Sequence, residues 1–217
     1  STEPLSRKLG KADFRLLQEI YSQNEESRPI AQMADKLHPW AAFIFAGSTF
    51  PKGYSSETGA DMLLTNAAAD INKPRGSLES LDDVTAIFKA QPEETMLNFL
   101  KASIKTNKEE TEDIKKLHQA YSDGRFEELI PLLEETEQRT LKLVDTKYAK
   151  AMSDWLKNDL LIRRNLAWLP EIRKQSAKQS TLFAVGIAHL PSEKGLIELL
   201  RQEGYQVTPE PKVLIWQ

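Results

Sequence analysis

One histidine stands where a buried strand would end. Thr181–Ala188 is a continuous apolar run, and His189 follows it directly. Open α/β sheets gather their ligands at the carboxyl ends of such strands. An imidazole there ligates a metal, moves a proton, or merely hydrogen-bonds across a strand end, and position alone does not choose among these. Gly186, three residues earlier, leaves room for a ligand or a neighbouring backbone. A second candidate is Arg163-Arg164-Asn165, which interrupts a helix otherwise built from Trp155, Leu156, Leu160, Leu161, Ile162, Leu166 and Trp168. A charge among so many apolar neighbours needs a partner. Arg164 either pairs with a structural acid or reaches a substrate carboxylate or oxyanion. Glu57 and Asp61 have the i, i+4 spacing that puts two carboxylates on one helix face, where they bind a hard cation or share a proton. Ser55-Ser56 ahead of them make a helix start, where acids are favourable anyway, the simpler reading. Glu79 closes a short extended segment and faces the same edge as His189, unless it is an exposed loop acid. His38, before Pro39-Trp40, suits a chain reversal, and His118 lies on a charged, solvated helix face.

These side chains must be carried by a largely helical scaffold. Ala12–Gln23 places Phe14, Leu17, Ile20 and Tyr21 on one face. Pro29 fits a helix start, and Trp40–Ala46 is apolar enough to be buried. Gly47–Ser56 reads as a loop. Glu57–Ile71 is a helix with an alanine-rich face, and Ser80 caps another running to about Ala90. Pro92–Ala149 is almost continuously helical, punctuated at Asp123-Gly124, and a further helix covers about Ala149–Lys174, either continuous or broken at Pro170. The last fifth changes character. Thr181–Ala188 predicts a strand buried on both faces. Ser192 then caps a helix over Glu193–Gln202, Gly204 ends it, and Tyr205–Pro209 alternates like a strand, which makes a βαβ unit. Residues 74–79 and 213–216 add two more candidate strands. The expected class is α/β in the α+β sense. It is one domain over residues 1–217, helical over 1–72 and 80–175, with a small, central, partly parallel sheet.

Composition narrows the chemistry. The 217 residues carry 29 basic and 32 acidic side chains, a formal charge of -3, so a broad electrostatic grip on nucleic acid is not expected. Cysteine is absent, which excludes disulfides, thiolate metal sites and cysteine nucleophiles, and three histidines limit any histidine-rich centre. The longest apolar runs fall far short of the roughly 20 residues a membrane helix needs. There is no P-loop, dinucleotide fingerprint, nucleophile elbow or His-Glu-x-x-His. The chain starts at Ser1 with neither methionine nor signal peptide, so a trimmed or mature form is expected.

In order and spacing, several short motifs together resemble the TraB/GumN family, whose relatives include the Tiki metalloproteases. They are His38-Pro39-Trp40, Glu57-Thr58-Gly59-Ala60-Asp61, Leu78-Glu79, Arg164-Asn165-Leu166-Ala167-Trp168 and Gly186-Ile187-Ala188-His189-Leu190, followed by Gly195-Leu196 and Gly204-Tyr205. The resemblance covers about Leu37 to Pro209. It implies an erythromycin-esterase-like fold, a central sheet wrapped in helices, with a metal-dependent hydrolase site at the sheet edge. It implies zinc, manganese or cobalt held by His189 and Glu79, and a peptide or small-molecule substrate met by Asp61 and Arg164. Glu79, Arg164, Asn165 and His189 would carry catalysis, with Arg164 facing the oxyanion. For a bacterial member it also implies a periplasmic or otherwise extracytoplasmic location. The family builds its metal site from two Gly-x-x-His motifs. Only Gly186–His189 has that form here, since Asp35 precedes His38 by three and Lys115 precedes His118. Half of the metal site and about two strands are therefore expected to be absent. That leaves a non-catalytic binding or regulatory protein as the alternative and makes a homo-oligomer an expectation.

Overall fold

The computed structural model describes residues 3–209. The molecule is all-α: 70% of it is helical, and no strand or sheet forms among the described residues. The expected α/β class with a central sheet is therefore wrong. Residues 74–79 run without regular structure into a bend, 181–186 are irregular, and so are 205–209, while 213–216 lie outside the described residues. A strand exists only as a rung in a ladder with another strand, and an apolar run cannot by itself announce that partner. Thr181–Ala188 is not even buried, since Leu182 is 76% exposed. Its last two residues enter a 3-10 turn, Ile187–His189.

The chain divides into two compact units, Ser1–Asp154 and Trp155–Gln217. The first contains α1 (Leu5–Leu9), α2 (Lys11–Tyr21), α3 (Arg28–Met33), α4 (Pro39–Gly47), α5 (Ala60–Asp70), α6 (Leu81–Lys89), α7 (Glu93–Ser122), α8 (Leu129–Leu141) and α9 (Thr146–Asp154). Local chemistry sets most of these boundaries. Pro29 and Pro39 sit in the first turns of α3 and α4, where a missing N–H costs nothing. Ser80 and Asp83 form a reciprocal capping box that starts α6. Glu93 and Glu94 occupy the first turn of α7, and Gly124, at φ 67°, turns the chain after it.

The core of this unit joins Leu5 and Leu9 of α1, Leu17, Ile20 and Tyr21 of α2, Ala34, Ala42 and Ala46, and Leu100 and Ile104 of α7. The α2 face expected from spacing is the buried one. Its phenol is satisfied inside the core, because Tyr21 Oη donates to the carbonyl of Ala42 at 2.7 Å, and burial pushes that phenol well above its ordinary range.

The second unit opens with a π-helix, Trp155–Ile162, followed by α10 (Arg163–Ser176), the 3-10 turn, and α11 (Leu196–Gln202). Pro170 lies inside α10 rather than ending it. The expected helix after Ser192 begins three residues late, because Ser192 is held at φ 83° and Gly195 takes the N-cap.

Candidate functional site

Within the second unit, α10 and the 3-10 turn bring Arg164, Asn165, Trp168 and His189 together. Asn165 is 2% exposed and His189 is 6% exposed. The Asn165 side-chain amide donates from Nδ2 to two backbone carbonyls, those of His189 at 3.2 Å and Lys194 at 2.9 Å. With Nδ2 committed to two acceptors, its Oδ1 must accept. It lies 2.7 Å from His189 Nδ1, which therefore carries the proton. Nε2 keeps its lone pair and accepts from Arg164 Nη1 at 3.3 Å, since a guanidinium only donates. The geometry thus fixes one tautomer of His189.

Two further contacts hold the pair. The His189 and Trp168 rings have centroids 4.5 Å apart, and the Arg164 guanidinium lies 5.1 Å from the Trp168 ring centre. Arg164 Nη1 also donates to the carbonyl of Leu160 at 2.9 Å, in the π-helix. Trp168 Nε1 is buried without a hydrogen bond. Spacing marked Trp168 only as an apolar residue; its i+4 relation to Arg164 on one helix was the signal that placed it under the guanidinium.

The loop after His189 is built to hold this arrangement. A Cβ added at Gly195 would overlap the carbonyl oxygens of Pro191 and Leu190, so only glycine fits. At Gly186 the added carbon would meet only His189 Cδ2, at 3.7 Å, an ordinary contact. Of the two glycines, Gly186 is therefore the less constrained, contrary to the weight the Gly-x-x-His spacing put on it. An open groove of about 590 Å³ lies over this loop and α11, lined among others by Leu190, Lys194, Ile197 and Arg201. His189, Arg164 and Asn165 do not line it.

The remaining candidates belong to the first unit. Asp61 is exposed in the first turn of α5. Glu57 lies in a separate 3-10 turn, Ser56–Thr58, capped by Ser55 Oγ, which accepts from the Glu57 N–H. Gly59 breaks the helix between Glu57 and Asp61, so they do not share one helical face. Glu79 is half-buried in the bend before Ser80. His38 faces Glu93 at 3.3 Å, with Lys8 on the other carboxylate oxygen at 2.5 Å. Burial, working against Glu93, lowers the His38 pKa. This supports its reading as a structural pin. His118 is exposed, with the Tyr54 ring edge-on at 5.2 Å.

A second buried polar cluster escaped the sequence reading. Along the α7–α8 contact, Asp113, with its side chain 7% exposed, accepts from Arg139 at 2.6 Å and from Thr136 at 3.0 Å. Burial pushes the Asp113 carboxyl up, but these bonds outweigh it and hold the group below its ordinary value. One turn earlier, Glu110 accepts from the hydroxyls of Thr106 and Thr140. There burial wins and the carboxyl is raised. The i, i+3 spacing of Glu110 and Asp113 sets both on one side of α7, the side that meets α8.

The site so defined is a helix-borne Arg-Asn pair orienting a buried histidine in an all-α chain. The TraB/PrgY/gumN family model matches residues 1–209, and the chain belongs to that family. No curated protein and no solved structure matches it. Among the described residues, no helix is long and apolar enough to cross a membrane.

Proposed function

We propose that the chain is a hydrolase of the TraB/PrgY/gumN type, acting on peptides or small molecules with a polarised carbonyl. His189 Nε2 moves the proton, and Arg164 faces the developing negative charge. The observation that carries this reading is the orientation of His189: Asn165, anchored on two backbone carbonyls, takes the Nδ1 proton and leaves Nε2 with its lone pair. A general base needs that tautomer fixed before substrate arrives. In the proposed cycle the substrate carbonyl oxygen takes the Arg164 guanidinium. Nε2 accepts a proton from water as the water oxygen adds to the carbonyl carbon. The ring then returns that proton to the leaving group.

The family resemblance brings in a divalent metal, zinc, manganese or cobalt. The donors described here do not fit one. No group of three histidine or carboxylate side chains that could hold a metal ion occurs among the described residues. Zinc centres use three or four protein ligands, and the proposed cycle runs on this chain's own residues. A second reading, binding without turnover, is favoured by one observation: His189 is 6% exposed with both ring nitrogens engaged.

The test is hydrolysis of a mixed peptide library and of activated esters, with and without zinc, manganese and cobalt. Turnover is expected in the wild type, falling by about 10²–10⁴-fold in His189→Ala and less in Asn165→Ala, whose ring is mis-oriented but present. Turnover that survives His189→Ala ends the assignment of His189 as the base. Absent turnover under every condition, with carboxylate binding that Arg164→Lys abolishes, assigns the site to the second reading. Calorimetry should find each metal weakly bound; tight binding that survives His189→Ala would place a metal site elsewhere in the chain.

A further inference from the structure

α5 carries an apolar stripe that the described residues leave largely uncovered. Ala60, Leu63, Leu64, Ala67 and Ala68, continued by Ile71 just past its end, follow the i, i+3, i+4, i+7 rule that marks a core-facing stripe. Yet Leu63 is 58%, Leu64 43% and Ile71 65% exposed, and no residue of α5 is buried. Its main packing is against the 3-10 turn just before it. A helix this short gains most of its stability from packing its apolar face, so the stripe is built for an occupant. Its alanines let another helix come close, since interaxial distance follows side-chain size at the contact.

The charges around the stripe say which occupant. Helices that lie on anionic lipid carry basic residues along their polar side, whereas α5 carries Asp61 and Asp70 and no lysine or arginine. A second copy of the chain fits better. The helix is entered through Glu57 and left through Lys73 and Arg75, all exposed. Two copies packed antiparallel set the acidic entry of one beside the basic exit of the other, at both ends at once. Aligning Ala60 with Ile71 of the other copy sets the Glu57 end of one helix beside the Lys73 and Arg75 end of the other. Asp61 and Asp70 fall on opposite flanks of the helix, so the aspartates of the two copies do not meet across it.

We propose that α5 is a self-association surface through which two copies of this chain pair antiparallel. A three-turn stripe is small beside the interface of a stable dimer, so the dimer is weak and concentration-dependent. The chain has no cysteine, and introduced ones report the register cleanly. In the antiparallel pair the two Ala67 positions are offset by about 4.5 Å along the helix, the two Ala60 positions by about 16 Å. Ala67→Cys should therefore cross-link under mild oxidation and Ala60→Cys should not, because a disulfide spans only about 4.4–6.8 Å between Cα atoms. Sedimentation equilibrium should show a dimer weakened about tenfold or more by Leu63→Glu, with the helical circular dichroism unchanged. Glu57→Lys and Lys73→Glu should each weaken it, and the double reversal should restore it. A chain monomeric at every concentration overturns the proposal, as does cross-linking equally efficient at both cysteine positions. A monomer that binds anionic vesicles through Leu63 also overturns it and gives the stripe to a membrane.

Discussion

The α7–α8 seam and the Asn165–His189 cluster are both buried polar networks, but they solve different problems. In the seam, charge is neutralised: Arg139 and Thr136 answer Asp113, and two threonine hydroxyls answer Glu110. In the cluster, direction is fixed: an amide held by two carbonyls decides which nitrogen of a ring keeps its lone pair. The seam serves packing, because its carboxylates are spent on Arg139, Thr136 and Thr140 of the facing helix and on Thr106 of their own. The cluster spends its hydrogen bonds on the orientation of one ring, whose Nδ1 faces an amide oxygen and whose Nε2 faces a guanidinium.

The largest test of this contrast lies in the seam. Arg139→Met leaves the Asp113 carboxylate with weaker partners and should lower stability, read by urea unfolding and by hydrogen exchange across α7 and α8. Because the folded Asp113 pKa is depressed, the stability it contributes is present above the ordinary carboxylate range and is lost as pH falls through the folded value. The gap between wild type and variant should therefore close on acidification. A gap that persists at low pH would mean that Arg139 acts by packing alone.

The next test separates the two glycines of the cluster. Gly195→Ala forces the loop off two backbone carbonyls and should cost about 1–3 kcal/mol. It should also loosen His189, seen as loss of a slowly exchanging Nδ1 proton in nuclear magnetic resonance. Gly186→Ala, with φ −58° and one ordinary contact, should stay within about 0.5 kcal/mol. If the two behave alike, the loop is not what fixes the ring.

The smallest effect is expected at Glu110. Burial raises its folded pKa, so the folded state holds the proton more tightly than the unfolded one. Stability then falls as pH rises from the ordinary carboxylate value through the raised one. Glu110→Gln should remove that slope and gain up to about 1 kcal/mol at neutral pH, measured as the difference in unfolding between acidic and neutral buffers. A loss at neutral pH would instead show that the ionised carboxylate supports the seam.

Much of this molecule was legible in its residues. The face of α2, the Ser80 cap and the break at Asp123-Gly124 are local, and local signals read well. The convergence of Arg164, Asn165 and His189 was legible only through the motif resemblance. The strands were not legible, because Thr181–Ala188 offers the composition of a buried strand while pairing depends on residues far away in sequence. The inward side of α7 was hidden for another reason. Asp113 and Glu110 are acids in a run of charges, and only the partner helix, with Arg139, Thr136 and Thr140, makes them interior residues.

The π-helix ahead of α10 uncouples chain length from angular phase. An α-helix turns about 100° per residue, so a deletion between Asn165 and Trp168 would swing Trp168 away from the ring it supports. The wider turns of Trp155–Ile162 hold a residue in excess of what an α-helix needs to span the same rise. Losing one there lets the segment tighten to α geometry while Trp155 on one side and Arg164 and Asn165 on the other keep their faces. A one-residue deletion there is expected to leave the aim of Arg164 and Asn165 unchanged.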